Sequence, residues 1–179
     1  LRAATYYVKE TKAPKGFQLD KNVYTMTVKV NETTTLKVSD KPKVTDTLVE
    51  LFKIDMETSK ATPQGNASLE GAEFVWKYYD GYYTKDNLPS EPTRTWTTKT
   101  IAEKDSNNEV HYITRLADSY KVLGDSFYTQ NGTICLPLGT ITVEEKTAPN
   151  GYLLEGAYMQ AARSSEQIKG AYVAQITED

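Results

Sequence analysis

The chain of 179 residues has little of the chemistry that most enzymes and metalloproteins use. It contains one cysteine and one histidine, so it cannot form an internal disulfide, and these two residues cannot build a zinc cage of Cys and His ligands. It has no long hydrophobic run, so we expect neither a membrane span nor a signal peptide within these residues. Neither a phosphate-binding loop nor an HExxH motif occurs. We therefore expect no metal and no cofactor.

The charge and composition favour a folded β protein. The formal net charge is −3, whereas nucleic-acid-binding domains are usually basic, so nucleic acid is not an expected partner. Apolar residues make up 39% and charged residues 25%, which allows a buried core. About two dozen threonines and 13 tyrosines suit the half-buried face of a sheet, and 7 prolines and 10 glycines suit many turns. The expected fold class is all-β.

The first 42 residues have the pattern of three strands. Residues 6–10, 23–30 and 34–40 alternate between two faces, and a Pro/Gly turn at 13–17 separates the first two. Proline cannot donate to a strand ladder, so Pro42 and its lysine neighbours predict a domain junction. We predict one domain at 1–42 and a second at 44–179.

The second domain also has strand patterns, but they are less regular. Residues 111–123 have mixed periodicity, and a short helix is possible there. Residues 77–132 form a long insertion for a small sandwich, and Asn131-Gly132 within it is a hairpin-type turn. The segments that read as strands are 48–55, 69–76, 93–101 and 140–145, and 172–179 reads as a penultimate strand.

The chain contains an internal repeat. The pattern V-x-E-x-x-A-P-x-G-[FY] occurs at residues 8–17 and, without a gap, again at 143–152. Two copies do not make a solenoid, but chance similarity does not explain so many shared positions. The repeat implies two domains of one type, the first of which contains only about its last three strands.

Four ionisable residues lie at strand ends on the face of the apolar residues before them: Glu10, Asp40, Lys53 and Glu145. Burying a lone charge costs several kcal/mol. Each side chain could reach water at a frayed strand end. Alternatively, an amine in an apolar site is a nucleophile, a neighbouring carboxyl can move protons, and an Asp or Asn side-chain carbonyl can be attacked. That reaction gives a neutral amide and releases water or ammonia.

The motifs resemble those of the Cna B-type (SpaA-like) domains of Gram-positive pilins and surface adhesins. The similar segments are VELFKID, LEGAEF and PLGTITVEEKTAPNGY in the second domain, and YYVKETKAPKGF and LKVSDKP in the first. The resemblance implies tandem transthyretin-like β-sandwiches, the first truncated. It also implies a spontaneous intramolecular isopeptide bond between a first-strand Lys and a last-strand Asn or Asp, promoted by a Glu.

The family roles transfer to individual positions. Lys53 matches the reactive lysine and Glu145 the promoting glutamate of the second domain, while Glu10 and Asp40 match the glutamate and the acceptor of the first. The first domain lacks its opening strand and therefore its lysine. The second is expected to lack its closing strand. Glu10 precedes Asp40 by 30 residues, and a similar spacing from Glu145 leads to the last residues of the chain. Asp179 is therefore a candidate acceptor, although 172–179 resembles the penultimate strand.

The resemblance implies a non-enzymatic stalk segment on a Gram-positive cell wall, with neighbouring domains of the same protein as partners. The alternative is a binding module for a host protein or glycan, which would use the aromatic residues of the insertion region. Ordinary sheet packing is the favoured explanation of those residues. An enzyme acting on an external substrate is a third class. A Cys135–His111 pair is conceivable, but Cys135 lies in an apolar run, which favours an inert buried thiol. The aromatic residues are Trp76, Tyr78, Tyr79, Tyr82, Tyr83 and Trp96.

Overall fold

A computed structural model of the chain describes residues 1–45 and 49–177. The chain divides into two compact units, Leu1–Val44 and Thr45–Thr177. The described residues form strands and turns but no helix, so the expected all-β class is confirmed. Among these residues there is accordingly no helix that could cross a membrane.

The first unit is built on one antiparallel hairpin. Strand β1 (Ala4–Lys9) pairs with β2 (Val23–Val28), with Tyr6 opposite Met26. The predicted third strand at 34–40 is wrong, because these residues carry no strand assignment. An extended segment becomes a strand only when a neighbouring backbone pairs with it, and the described residues offer 34–40 no ladder partner.

The second unit contains most of the strands. A short strand, β3 (Val44–Thr45), lies at the boundary between the units. The remaining strands are β4 (Glu50–Lys53), β5 (Glu73–Tyr79), β6 (Arg94–Lys99), β7 (Ile101–Lys104), β8 (Val110–Arg115), β9 (Lys121–Gly124), β10 (Thr129–Gln130), β11 (Thr133–Ile134), β12 (Leu136–Pro137), β13 (Gly139–Thr147) and β14 (Tyr172–Ile176). A five-stranded sheet has the order β14-β13-β5-β6-β9, and a three-stranded sheet has the order β4-β8-β7.

The core of the second unit is formed largely by alternate residues of the five-stranded sheet. Along β5, Phe74, Trp76 and Tyr78 are buried, and Trp76 lies opposite Trp96 of β6. Val143 of β13 packs in the same cluster. Large aromatic side chains therefore provide much of the buried apolar area, as the tyrosine-rich composition leads one to expect.

Buried threonines connect the five-stranded and the three-stranded sheet of this unit. Trp76 Nε1 donates to Thr98 Oγ1 at 2.8 Å, and Thr114 Oγ1 of β8 donates to the same oxygen at 2.7 Å. Thr98 and Thr114 are fully buried. These bonds satisfy polar atoms that would otherwise lie unpaired in the core.

The region around 77–132 differs from the prediction. The possible helix at 111–123 is wrong: most of these residues belong to β8 and β9, which pair with β4, β7 and β6. Pairing across two sheets outweighs the mixed local periodicity. The long segment is therefore built into both sheets. Asn131 (φ 52°) and Gly132 (φ 81°) form the expected hairpin turn between β10 and β11.

The two copies of the repeat adopt the same turn. The Phe17 amide donates to the Pro14 carbonyl at 3.1 Å, and the Tyr152 amide donates to the Pro149 carbonyl at the same distance. In both copies the glycine of the A-P-x-G segment has a positive φ. The sequence repeat is therefore also a repeat of backbone structure, one copy in each unit.

Candidate functional site

The structure brings Lys53 and Glu145 into direct contact. Lys53 Nζ donates to Glu145 Oε2 at 2.7 Å, although the two residues are 92 positions apart. Their side chains are 17% and 9% exposed. They form an ion pair that is largely removed from solvent, with Lys53 on the three-stranded sheet and Glu145 on the five-stranded sheet.

Strand alternation directs both side chains inward. On β4, Phe52 is 59% exposed, whereas Leu51 packs on the core and Lys53 points to the same side. On β13, Glu145 follows buried Val143 on one face. A register shift between Glu145 and Thr147 then interrupts its pairing with β5, so the carboxylate lies where the regular ladder stops.

The residues on either side of Glu145 in β13, Glu144 and Lys146, form an exposed counterpart of this pair. Glu144 points to the opposite face, where its Oε2 lies 2.7 Å from Lys146 Nζ in an ion pair. The side chains of Lys146 and Glu144 are 50% and 35% exposed. Two Lys–Glu pairs of equal length thus lie on opposite faces of one strand, one in the interior and one in solvent.

One oxygen of the buried carboxylate has no hydrogen-bond partner among the described residues. Glu145 Oε1 is inaccessible to solvent and accepts no hydrogen bond from the described residues. A buried carboxylate oxygen without a donor is costly and rare in native proteins. The pair can therefore accommodate one more hydrogen-bonding group beside Lys53 Nζ.

The predicted residues of the first unit are arranged differently. Glu10 Oε2 accepts the backbone N–H of Asp20 at 2.7 Å. Tyr24 Oη donates to Asp20 Oδ2 at 2.5 Å, and this bond is the main cause of a raised Tyr24 pKa, to which the charge of Asp40 also contributes. Asp40 is half-buried and outside any strand. Asp179, the candidate acceptor of the second unit, lies outside the described residues.

A second buried carboxylate, Asp55, was not predicted from the sequence. Its side chain is 1% exposed and accepts bonds from Thr58, Gln64 and Tyr152. The backbone N–H of Thr58, followed by the side chains of Gln64 and Tyr152, holds the Asp55 pKa well below its usual range. The one available signal was the hydroxyl that distinguishes Tyr152 from Phe17 in the repeat.

The aromatic residues of the predicted binding module lie mostly in the core. Trp76, Trp96, Tyr78 and Tyr79 are at most 4% exposed, as sheet packing requires, and only Tyr82, at 40%, is among the exposed large hydrophobic residues. These buried side chains cannot form a ligand platform. The alternative of an adhesive module therefore receives no support from them.

Cys135 and His111 are also accounted for. Cys135 is 2% exposed, which agrees with a buried thiol. His111 lies 3.3 Å from Asp105, and these two residues and Glu109 place ligand atoms within 4.8 Å of one another on the β7–β8 hairpin. Asp105 Oδ1 already accepts the N–H groups of Asn107 and Glu109, so this carboxylate closes the turn.

A family model agrees with the resemblance read from the motifs. Residues 1–42 match the SpaA prealbumin-like fold domain family. A solved structure, the Bacillus anthracis TIE protein, aligns with 100% of this chain and 23% of its own, at 22% identity and a TM-score of 0.46. The chain thus spans about a quarter of that protein's length. No curated protein matches the chain. The SpaA-like resemblance is confirmed on the first 42 residues.

Proposed function

We propose that the chain is a structural segment of a Gram-positive surface protein, a pilin or adhesin stalk, in which Lys53 forms an isopeptide bond with an Asn or Asp side chain. The observation that carries the proposal is the buried contact of 2.7 Å between Lys53 Nζ and Glu145 Oε2. The SpaA-type match to residues 1–42 supports the same protein class. The resemblance assigns these residue types to cross-linking.

The chemistry needs only the pair and one acceptor. After a proton moves from Lys53 to Glu145, the neutral amine attacks the acceptor carbonyl carbon, and the new C–N bond forms. The carboxyl group of Glu145 donates its proton to the departing group and takes one from the attacking nitrogen. The acceptor's C–N or C–O bond breaks, and ammonia leaves an Asn or water leaves an Asp. Glu145 ends as the neutral acid and is not consumed, whereas Lys53 and the acceptor are, so the reaction runs once per domain.

The acceptor is expected beside Glu145 Oε1, which has no hydrogen-bond partner in residues 1–45 and 49–177. A carboxamide or a protonated carboxyl group there would donate to Oε1, and this bond would polarise its carbonyl toward Lys53. Within this chain the proposed acceptor is Asp179. In the first unit, Glu10 and Asp40 are the proposed glutamate and acceptor of a second cross-link.

A cross-link between the first and last strands of a domain suits a stalk. It transfers tension to a covalent bond instead of a ladder of hydrogen bonds. It also reduces the conformational freedom of the unfolded chain, as a disulfide does, without requiring an oxidising compartment. The partners in this role are neighbouring domains of the same surface protein, and the protein performs no turnover on an external substrate.

Intact-mass measurement of the complete surface protein tests the proposal. We expect a mass below that of the sequence by one ammonia or one water for each linked domain. Lys53→Met and Glu145→Gln should each abolish one such mass loss, because neither variant can form the bond at Lys53. Glu144→Gln, one position away on the exposed face, is the matched control and should leave the loss unchanged. A full sequence mass for the folded wild-type protein would contradict the proposal.

A further inference from the structure

The loop after β4 is tied to the turn after β13, and these are the strands that carry Lys53 and Glu145. Asp55 follows Lys53 by two positions, and Tyr152 lies in the turn after Glu145. Tyr152 Oη donates to Asp55 Oδ2 at 2.7 Å. We propose that Asp55 and Tyr152 form a latch that positions Lys53 against Glu145. This inference rests on the proposed cross-linking role of that pair.

Asp55 is the fixed half of the latch. Its Oδ1 accepts the Thr58 amide at 2.8 Å and the Thr58 hydroxyl at 3.1 Å, while Oδ2 accepts Gln64 Nε2 at 3.0 Å. The Asp55 amide also donates to the Lys60 carbonyl at 2.8 Å. A carboxylate held by this many donors stays ionised and has little freedom to rotate. The end of β4, including Lys53, is therefore anchored.

The turn around Tyr152 is the second half. The Ser68 amide donates to the Asn150 carbonyl at 2.9 Å. At Gly151 a Cβ atom would lie 2.7 Å from Ala67 Cβ and 2.9 Å from Ala67 Cα, so the turn packs directly on the backbone of the loop. The hydroxyl of Tyr152 completes this contact by reaching Asp55.

The first unit provides a natural comparison. Its repeat has Phe17 where the second has Tyr152, and its turn has the same hydrogen bond as the second. The hydroxyl is thus not needed to form the turn. Its bond to Asp55 joins that turn to the strand that carries Lys53, which is a positioning role.

Positioning matters because the reaction needs a short approach between fixed groups. A misplacement of about 1 Å can slow a reaction between held groups by about a hundredfold. Lys53 and Glu145 come from different sheets, so β-ladder bonds do not set their separation. The latch joins the same two strands near their ends, and it limits how far they can move apart.

The test is the rate of linkage in the complete protein, made by pulse-labelled cell-free synthesis so that no bond exists at the start, and sampled by mass spectrometry. Tyr152→Phe should slow linkage at Lys53 by about tenfold or more. Tyr120→Phe is the matched control, because Tyr120 is buried and donates to a carboxylate, Glu103, on β7. It should keep the wild-type rate even if it lowers stability. Wild-type kinetics in Tyr152→Phe, or equal slowing in both variants, would overturn the latch.

A second readout separates failure of the latch from failure of the proposed function. If the wild-type protein never links Lys53, the cross-linking proposal fails. The latch is then tested by the NMR cross-peak between the Lys53 Cε and Glu145 Cγ protons in the 179-residue chain. Tyr152→Phe should weaken this cross-peak, and Tyr120→Phe should not. If Tyr152→Phe does not fold, Asp55→Asn takes its place. An unchanged cross-peak overturns the latch.

Discussion

Gly16 and Gly151 occupy the same place in two turns, with φ angles of 84° and 85°. Only glycine adopts this conformation without strain, so the glycine of the repeat is explained by backbone geometry. The correspondence shows that the sequence repeat is a structural unit. Substitution of Gly151 therefore tests the structure of the turn after Glu145.

Gly151→Ala should destabilise the second unit more than Gly156→Ala does. Both glycines have a positive φ, 85° and 83°, and the alanine strain is about 1–2 kcal/mol for either. At Gly151 the new methyl group would also collide with Ala67, whereas at Gly156 nothing lies within 4 Å. Urea denaturation of the two variants measures the difference. Equal losses would show that the turn does not pack on the loop.

Removing one partner of the Lys53–Glu145 pair should cost more stability than removing both. Lys53→Met leaves a buried carboxylate without its donor, and we expect a loss of about 3 kcal/mol in the unlinked chain. The double variant Lys53→Met, Glu145→Leu should recover most of it. Lys146→Met, in the exposed pair, should change stability by about 0.5 kcal/mol or less. A double variant no more stable than Lys53→Met alone would argue against a buried pair.

Asp55 should make stability depend on pH only in acid. Its pKa in the folded protein is lowered, chiefly by the Thr58 amide, below the value of about 3.9 for an unfolded chain. Its contribution is therefore complete above that value and is lost as the pH falls further. The stability difference between wild type and Asp55→Asn should be constant from pH 7 to about 5 and decrease below about 4. A difference that decreases between pH 7 and 5 would contradict this.

Thr98→Val should lower the free energy of unfolding more than Thr114→Val does. Thr98 Oγ1 accepts bonds from Trp76 Nε1 and from Thr114, so its loss leaves two buried donors unpaired, at about 1–3 kcal/mol each. Loss of the Thr114 hydroxyl leaves the Trp76 bond in place. Thermal unfolding of both variants tests this order. The reverse order would mean that Thr98 is not the shared acceptor.

The all-β class, the repeat and the meeting of Lys53 with Glu145 were accessible from the sequence, for a physical reason. Alternation places β4 and β13 side chains on definite faces, and a charge in an apolar row needs a partner. The resemblance identified which lysine and which glutamate to pair. These signals are local to short, regular strands, where the period of two is easily recognised.

Other features depend on tertiary pairing that no local pattern contains. Residues 34–40 alternate like a strand but have no ladder partner in the part of the chain that the structure describes, while β8 and β9 form in a segment without clear periodicity because neighbouring strands pair with them. The Asp55–Tyr152 bond joins positions 97 apart. Asp55 is a turn-forming residue and Tyr152 lies in a Pro/Gly turn, and neither local pattern indicates that the two side chains are in contact.

The central claim is that Lys53 becomes covalently bound to an Asn or Asp side chain. Digestion of the complete protein and tandem mass spectrometry of the peptides containing Lys53 test this most directly. We predict a branched peptide in which Lys53 Nζ is joined to the acceptor with loss of one ammonia or one water. In the Glu145→Gln variant the peptide should be linear. Recovery of Lys53 from the folded wild-type protein only in linear peptides with a free amine would contradict the account.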